Sequence, residues 1–199
     1  MIDLHCHVLP GLDDGPANMP DALAMAQAAL AAGTTTLVAT PHIDHTWRVR
    51  PEAISQRAEA LREALQREGI ALELHTGAEI ALSRLADLSP AQLAQLRLGE
   101  GPYLLLECPL DQTAGDFDEL LLRIHSRERS IVLAHPERSP LLQQEPIAMQ
   151  LFDVVQTRWP VGQAQRPPGE GHICPVTVQS LFVQQVPLLM QLFDTVHTC

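Results

Sequence analysis

Nine histidines in an acidic chain of 199 residues exceed what packing requires, and their spacing suggests chemistry. His5 and His7 stand two apart in MIDLHCH, and Asp13-Asp14-Gly15 follows. His42 closes VATPH, Glu79 lies in GAEI, Glu107 in LLLEC, and His135 opens His135-Pro136-Glu137-Arg138. Imidazoles and carboxylates without thiolates suit Mn, Fe, Zn or Mg-like divalent ions, and several ions together need a bridging carboxylate. Such a centre lowers the pKa of bound water toward neutrality and clamps phosphoryl oxygens for in-line attack. Phosphoester or amide hydrolysis is the natural chemistry.

Each residue taken singly has a plainer explanation. A lone histidine at a strand end is commonly a polar surface group. Glu107 could pair with an arginine, and Asp-Asp-Gly is an ordinary turn signal. Convergence is what those explanations miss, because each of these groups follows a segment that reads as a strand. The elements are Met1–His7, with Ile2 and Leu4 alternating against Asp3 and His5; Thr34–His42, β-branched and closed by Pro41; Ile70–Ile80; Pro102–Cys108; and Ser130–His135. Between them fall helix signals. Asn18 caps a helix running to about Ala32, with Leu23, Ala26 and Leu30 on one face and Gly33 as its stop. Pro51 opens a second helix, where Ile54, Ala58, Leu61 and Leu65 recur on one face before Gly69. Ser89-Pro90 opens a short third helix with Leu93 and Leu96, and 116–128 reads as a fourth.

Strands alternating with helices predict an α/β fold with βα units around a parallel sheet, whose reactive groups sit at the carboxyl edge. His5 and His7 then face the same way, since strand side chains repeat with period two. Five strand ends deliver ligand-type residues to one rim, which predicts a polynuclear metal site.

Composition narrows the class. Apolar residues make up 46% and charged residues 19%, which is globular. The net charge of −11 argues against coating nucleic acid or an anionic membrane. All basic residues are Arg, read as a compositional bias. No apolar run is long enough to insert into a membrane, and the start lacks a secretory signal. The four cysteines form no CxxC pair, so a reducing cytoplasm is expected. None has Arg six positions on; Leu12, Ala114 and Ser180 stand there, which excludes the Cys-x5-Arg phosphatase chemistry. Cys6 and Cys108 read as small packed residues.

MIDLHCHVLPGLDDGP, VATPH, GAEI, LLLECP and VLAHPER, in this order and spacing, resemble the bacterial capsule-type tyrosine-protein phosphatases (CpsB/CapC type) of the PHP (polymerase and histidinol phosphatase) superfamily. The resemblance covers roughly residues 1–140. It implies a PHP-type distorted (β/α)7 barrel and up to three divalent metal ions, usually Mn, with Fe or Zn as alternatives. It also implies hydrolysis of phosphotyrosine on the tail of a tyrosine kinase that controls capsular or extracellular polysaccharide export. Carried over by position, His5, His7 and a bridging Glu79 hold one ion. Glu79, Glu107 and His135 hold a second, and Asp14 with His42 a third, with Asp13 as the alternative to Asp14. Arg138 binds a phosphate oxygen; Arg48 and Arg50 are weaker candidates, better read as solvent-facing charges. Water activated by the ions is the nucleophile, so no side chain attacks. Two other outcomes stay open: a superfamily phosphoesterase acting on a small metabolite or nucleotide, and a non-catalytic remnant that binds a kinase partner. An oligomer is compatible with the family.

The chain changes character after about residue 140. Residues 141–199 carry six charged side chains against 31 before them, are rich in Gln and Pro, and show no clean strand-helix rhythm. This sets a domain boundary at 140, with 141–199 left unassigned. The family's later Ser-Asp-Ala-His-like motif, which supplies an Asp and a His to the metals, has no match here. His172 and His197 lack strand context, and neither Asp153 nor Asp194 is followed two positions on by His. A divergent or frame-shifted end is expected, with the barrel incomplete after the fifth strand.

Overall fold

The structure is a computed structural model that describes residues 1–108, 130–140 and 153–155. Its elements run β1 (Ile2–Cys6), α1 (Met19–Ala31), β2 (Thr36–Ala39), β3 (His42–Ile43), α2 (Pro51–Arg67), β4 (Glu73–Thr76), β5 (Glu79–Ala81), α3 (Pro90–Gln95), β6 (Tyr103–Glu107), β7 (Ser130–Ala134) and β8 (Asp153–Val155). Short 3-10 turns occupy Leu82–Asp87 and Pro136–Arg138.

The expected helix signals operate. Asn18 Oδ1 accepts the Asp21 N–H at 3.0 Å and starts α1. Its buried face is Ala22, Ala26 and Ala29, slightly rotated from the predicted one, with Leu23 and Leu30 packed at the margin. The alanines enter the larger core, which α2 shares, while Leu23 and Leu30 are partly buried against it. Pro51 begins α2, where Ile54, Ala58, Leu61 and Leu65 are all buried, and Gly69 turns the chain out with φ of 66°. Arg62 Nε donates to the Leu74 carbonyl at 3.0 Å, tying α2 to β4. Ser89 and Gln92 form a reciprocal capping box at α3.

The strands form two sheets in which every pairing is parallel. One is ordered β1-β2-β4 and the other β3-β5-β6-β7-β8. Parallel strands buried on both faces read as apolar runs, as β6 does: Leu104 and Leu106 join the larger core with α1 and α2, while Tyr103 and Leu105 join a smaller core with Leu4, Val38, Leu98 and Val132. Cys6 and Cys108 are buried free thiols, as expected of packed residues. Burial and nearby carboxylates push both thiols up, Cys108 to about 12.

Two expected strands are each divided. The run Thr34–His42 breaks at Thr40-Pro41 into β2 and β3, and Ile70–Ile80 breaks at Gly77-Ala78 into β4 and β5. Each pair of halves lies in different sheets. Proline has no N–H for a ladder, and Gly77 is crowded: an added Cβ would stand 2.9 Å from Leu98 and 3.3 Å from the Arg97 carbonyl. The breaks stay registered, since Gly77 N–H donates to Ala39 O and Glu79 N–H to Pro41 O. A further strand, β8, pairs with β7 inside the segment that showed no strand rhythm. The helix expected over 116–128 lies outside the described residues. Replacing the fully buried Leu61 with Ala should cost about 2–5 kcal/mol, read as a lower denaturation midpoint in urea with an unchanged slope.

Candidate metal centre

Glu79 is the hub of the site. It opens β5 directly beside His42, which opens β3, so register places the two side chains on one face. Its Oε2 lies 3.0 Å from His5 Nε2, 3.1 Å from His7 Nε2 and 3.2 Å from His42 Nδ1, while Oε1 lies 2.7 Å from His135 Nε2. Glu107 ends β6, two residues beyond Leu105, the register partner of Glu79; period two therefore turns it to the same face. It stands 3.9 Å from both His42 Nδ1 and His135 Nε2.

Local backbone features aim these groups. A register shift in β1 between Asp3 and Cys6 re-aims His5, whose Nε2 is 3.2 Å from that of His7. His135 follows β7 in the left-handed region, φ 30° and ψ 56°, uncommon outside glycine, and its carbonyl accepts the Arg138 N–H. The loop after β1 folds back on the site through Gly15. An added Cβ there would fall 2.2 Å from the His7 carbonyl. Asp14 is 63% exposed at the mouth, 3.4 Å from His7 Nδ1 and 3.8 Å from His42 Nε2. The side chain of Asp13 is buried, with its Oδ2 2.8 Å from His7 Nδ1.

All seven expected ligands are thus gathered at one place. Ligand-type atoms meet within 4.8 Å in three sets: His5, His7 and Glu79; His7, Asp14 and His42; and His42, Glu79 and Glu107. The first is the expected set. The others place His42 between two sets, a position its sequence context did not reveal. Arg138 is exposed but near enough for its charge to act on Glu107. Arg48 and Arg50 are exposed.

Electrostatics fit a cation-binding cluster. Burial disfavours charge on Glu79, yet hydrogen bonds from His135, His5 and His7 hold its carboxyl well below the usual range. Burial works against charge on His7 too, but Asp13, Asp14 and Glu79 overcome it and push the imidazole up to about 12. His5 is lowered, chiefly by burial, against the pull of Glu79. Glu107 is raised by burial and by the Glu79 charge. Asp14 is lowered, mainly by His7. The nitrogens of His5 and His7 and the Glu79 oxygen form a triangle with edges of 3.0, 3.1 and 3.2 Å. Donors about 2.0–2.2 Å from a shared ion have mutual edges of about 3 Å, so the triangle fits one divalent cation. His42 Nδ1 is buried and only 3.2 Å from Glu79 Oε2, yet makes no aligned hydrogen bond, as a lone pair aimed at a shared ion would.

A parallel α/β fold with this cluster at its strand ends defines a candidate metal-dependent hydrolase. The CpsB/CapC family model, described as capsular polysaccharide synthesis, matches residues 1–155, and the chain belongs to that family. It is 33% identical over 147 residues to the tyrosine-protein phosphatase YwqE of Bacillus subtilis, covering 73% of this chain and 58% of that protein. It is 26% identical over 145 residues to CapC of Staphylococcus aureus, covering 72% and 57% respectively. The fold matches a chain from crystal structures of YwqE and of CpsB from Streptococcus pneumoniae, described as unique metal-dependent tyrosine phosphatases. That match has a TM-score of 0.65 at 34% identity, over 75% of this chain and 61% of the other. This chain therefore spans less than two thirds of the length of each.

The Gly15→Ala protein should misplace the Asp13–Asp14 loop and bind fewer equivalents of Mn than wild type after gel filtration, measured by elemental analysis, while keeping its helical circular dichroism.

Proposed function

We propose that this chain hydrolyses protein phosphotyrosine with divalent metal ions held by His5, His7, Asp14, His42, Glu79, Glu107 and His135. The observation that carries the reading is Glu79, one carboxylate with four imidazoles within 3.2 Å, an arrangement suited to bridging two ions. Mn is the metal we propose. The all-nitrogen-and-oxygen donor set supports it, and Fe or Zn would be accepted by the same atoms. The two sheets are read as arcs of the distorted barrel, with residues 1–140 and β8 forming the catalytic unit.

When bound, such ions lower the pKa of water and offset charge on a phosphoryl group. The residues of the chain supply the rest. Glu79 and Glu107 fix the spacing of the centre by their register on β5 and β6. His135, turned by its left-handed backbone, closes one side of Glu79. Arg138, exposed and near enough for its charge to act on Glu107, donates to a phosphate oxygen in this reading, where a planar, permanently charged fork suits the task. No cysteine or serine needs to attack. The leaving tyrosine oxygen takes its proton from solvent at the open mouth of the site.

The expected substrate is the phosphotyrosine-bearing tail of a kinase of polysaccharide export, consistent with the family's link to capsule synthesis. A net charge of −11 disfavours nucleic acid as substrate. No helix among the described residues is long and apolar enough to cross a membrane. Buried free thiols support a cytoplasmic setting.

Phosphotyrosine peptide and p-nitrophenyl phosphate should both be hydrolysed with added Mn, and chelation should abolish turnover reversibly. The His5→Ala/His7→Ala protein should be inactive on both; activity equal to wild type would remove the metal centre from the reaction. Arg138→Ala should lower kcat/KM about 10–100-fold, the loss of one charge-assisted hydrogen bond, with metal content unchanged.

A further inference from the structure

We infer that Asp13 is a positioning residue of the metal centre: it fixes His7 as a ligand through Nε2 and withholds the Nδ1 face of His7 from any ion at Asp14. This rests on the metal-centre reading above. Asp13 and Asp14 are neighbours of identical type, but the fold gives them opposite places. Asp14 is 63% exposed, whereas the Asp13 side chain is fully buried. The oxygens of Asp13 are already engaged. Oδ1 accepts the Gly15 N–H at 3.0 Å, and Oδ2 accepts the His42 N–H at 2.9 Å while lying 2.8 Å from His7 Nδ1. A carboxylate satisfied in this way stands behind its ligand.

The geometry at His7 decides its role. An imidazole that ligates through one nitrogen carries its proton on the other, and a carboxylate on that proton fixes tautomer and ring orientation. Nδ1 of His7 points at Asp13, and Nε2 points at Glu79 Oε2 and His5 Nε2. Asp14 Oδ1 is farther from the same Nδ1, at 3.4 Å. His7 therefore serves the ion of His5 and Glu79. Of the set His7, Asp14 and His42, only the last two remain for a separate ion among the described residues. Because the same Asp13 oxygen holds the His42 backbone, one buried carboxylate sets the separation of two ligand-bearing segments.

The test uses the full chain loaded with Zn, with two readouts. Imidazole nitrogen NMR of the wild type should show His7 protonated at Nδ1 and metal-bound at Nε2; the reverse assignment overturns the inference without any variant. Competition with a chromophoric chelator should show that Asp13→Asn weakens one ion about 10–100-fold, as expected for loss of a carboxylate behind a histidine ligand. The His7 Nδ1 proton should also move upfield in that variant, a change a merely structural role would not produce. Wild-type affinities and an unshifted His7 signal in a folded Asp13→Asn protein would overturn the inference and leave the metal centre standing. A wild-type chain that takes up no Zn or Mn would sink both.

Discussion

A carboxylate buried among imidazoles is costly unless its charge is answered, and Glu79 is 1% exposed with four ring nitrogens close by. The rest of the site follows from satisfying that one group. His42 reaches it by register, His135 by a left-handed turn, and His5 and His7 through the irregular end of β1. The scaffold is a set of strand ends, each delivering one or two side chains to a single acid.

This arrangement explains why the fold breaks two of its strands. Unbroken strands from Thr36 to Ile43 and from Glu73 to Ala81 would belong to one sheet. Interrupting them at Thr40-Pro41 and Gly77-Ala78 carries His42 and Glu79 into the second sheet while their first halves stay beside β1. The hydrogen bonds from Gly77 to Ala39 and from Glu79 to Pro41 hold the two breaks in step. Family membership and a match at TM-score 0.65 place the same architecture among proteins described as metal-dependent tyrosine phosphatases.

Much of this was legible in the residues. The cap at Asn18, the apolar face of α2 and the Ser89-Pro90 start announced their helices through local chemistry, which the structure retains. The candidate ligands were legible because most of them close an apolar run, where a charged or imidazole side chain has no packing reason to be; Asp14 instead lies in the turn after β1. The breaks in the strands were not: Pro41 and Gly77 mark where a ladder can stop, but β-branched residues on both sides of Thr40-Pro41 favour extension, and only tertiary pairing shows that the chain resumes in a second sheet. Asp13 could not be separated from Asp14, because burial of one and exposure of the other are decided by the turn at Gly15. Nor did periodicity reveal β8, whose three residues are too few to show a pattern.

The placement of ligands across the breaks has a consequence for cohesion. His5 and His7 come from the end of the three-stranded sheet, and His42, Glu79, Glu107 and His135 from the five-stranded one. A cation seated between them would act as a rivet between two sheets that otherwise meet through the shared apolar cores. The binding energy of such an ion would be folding energy as well, so the fraction of intact chain in a cell would track its free concentration.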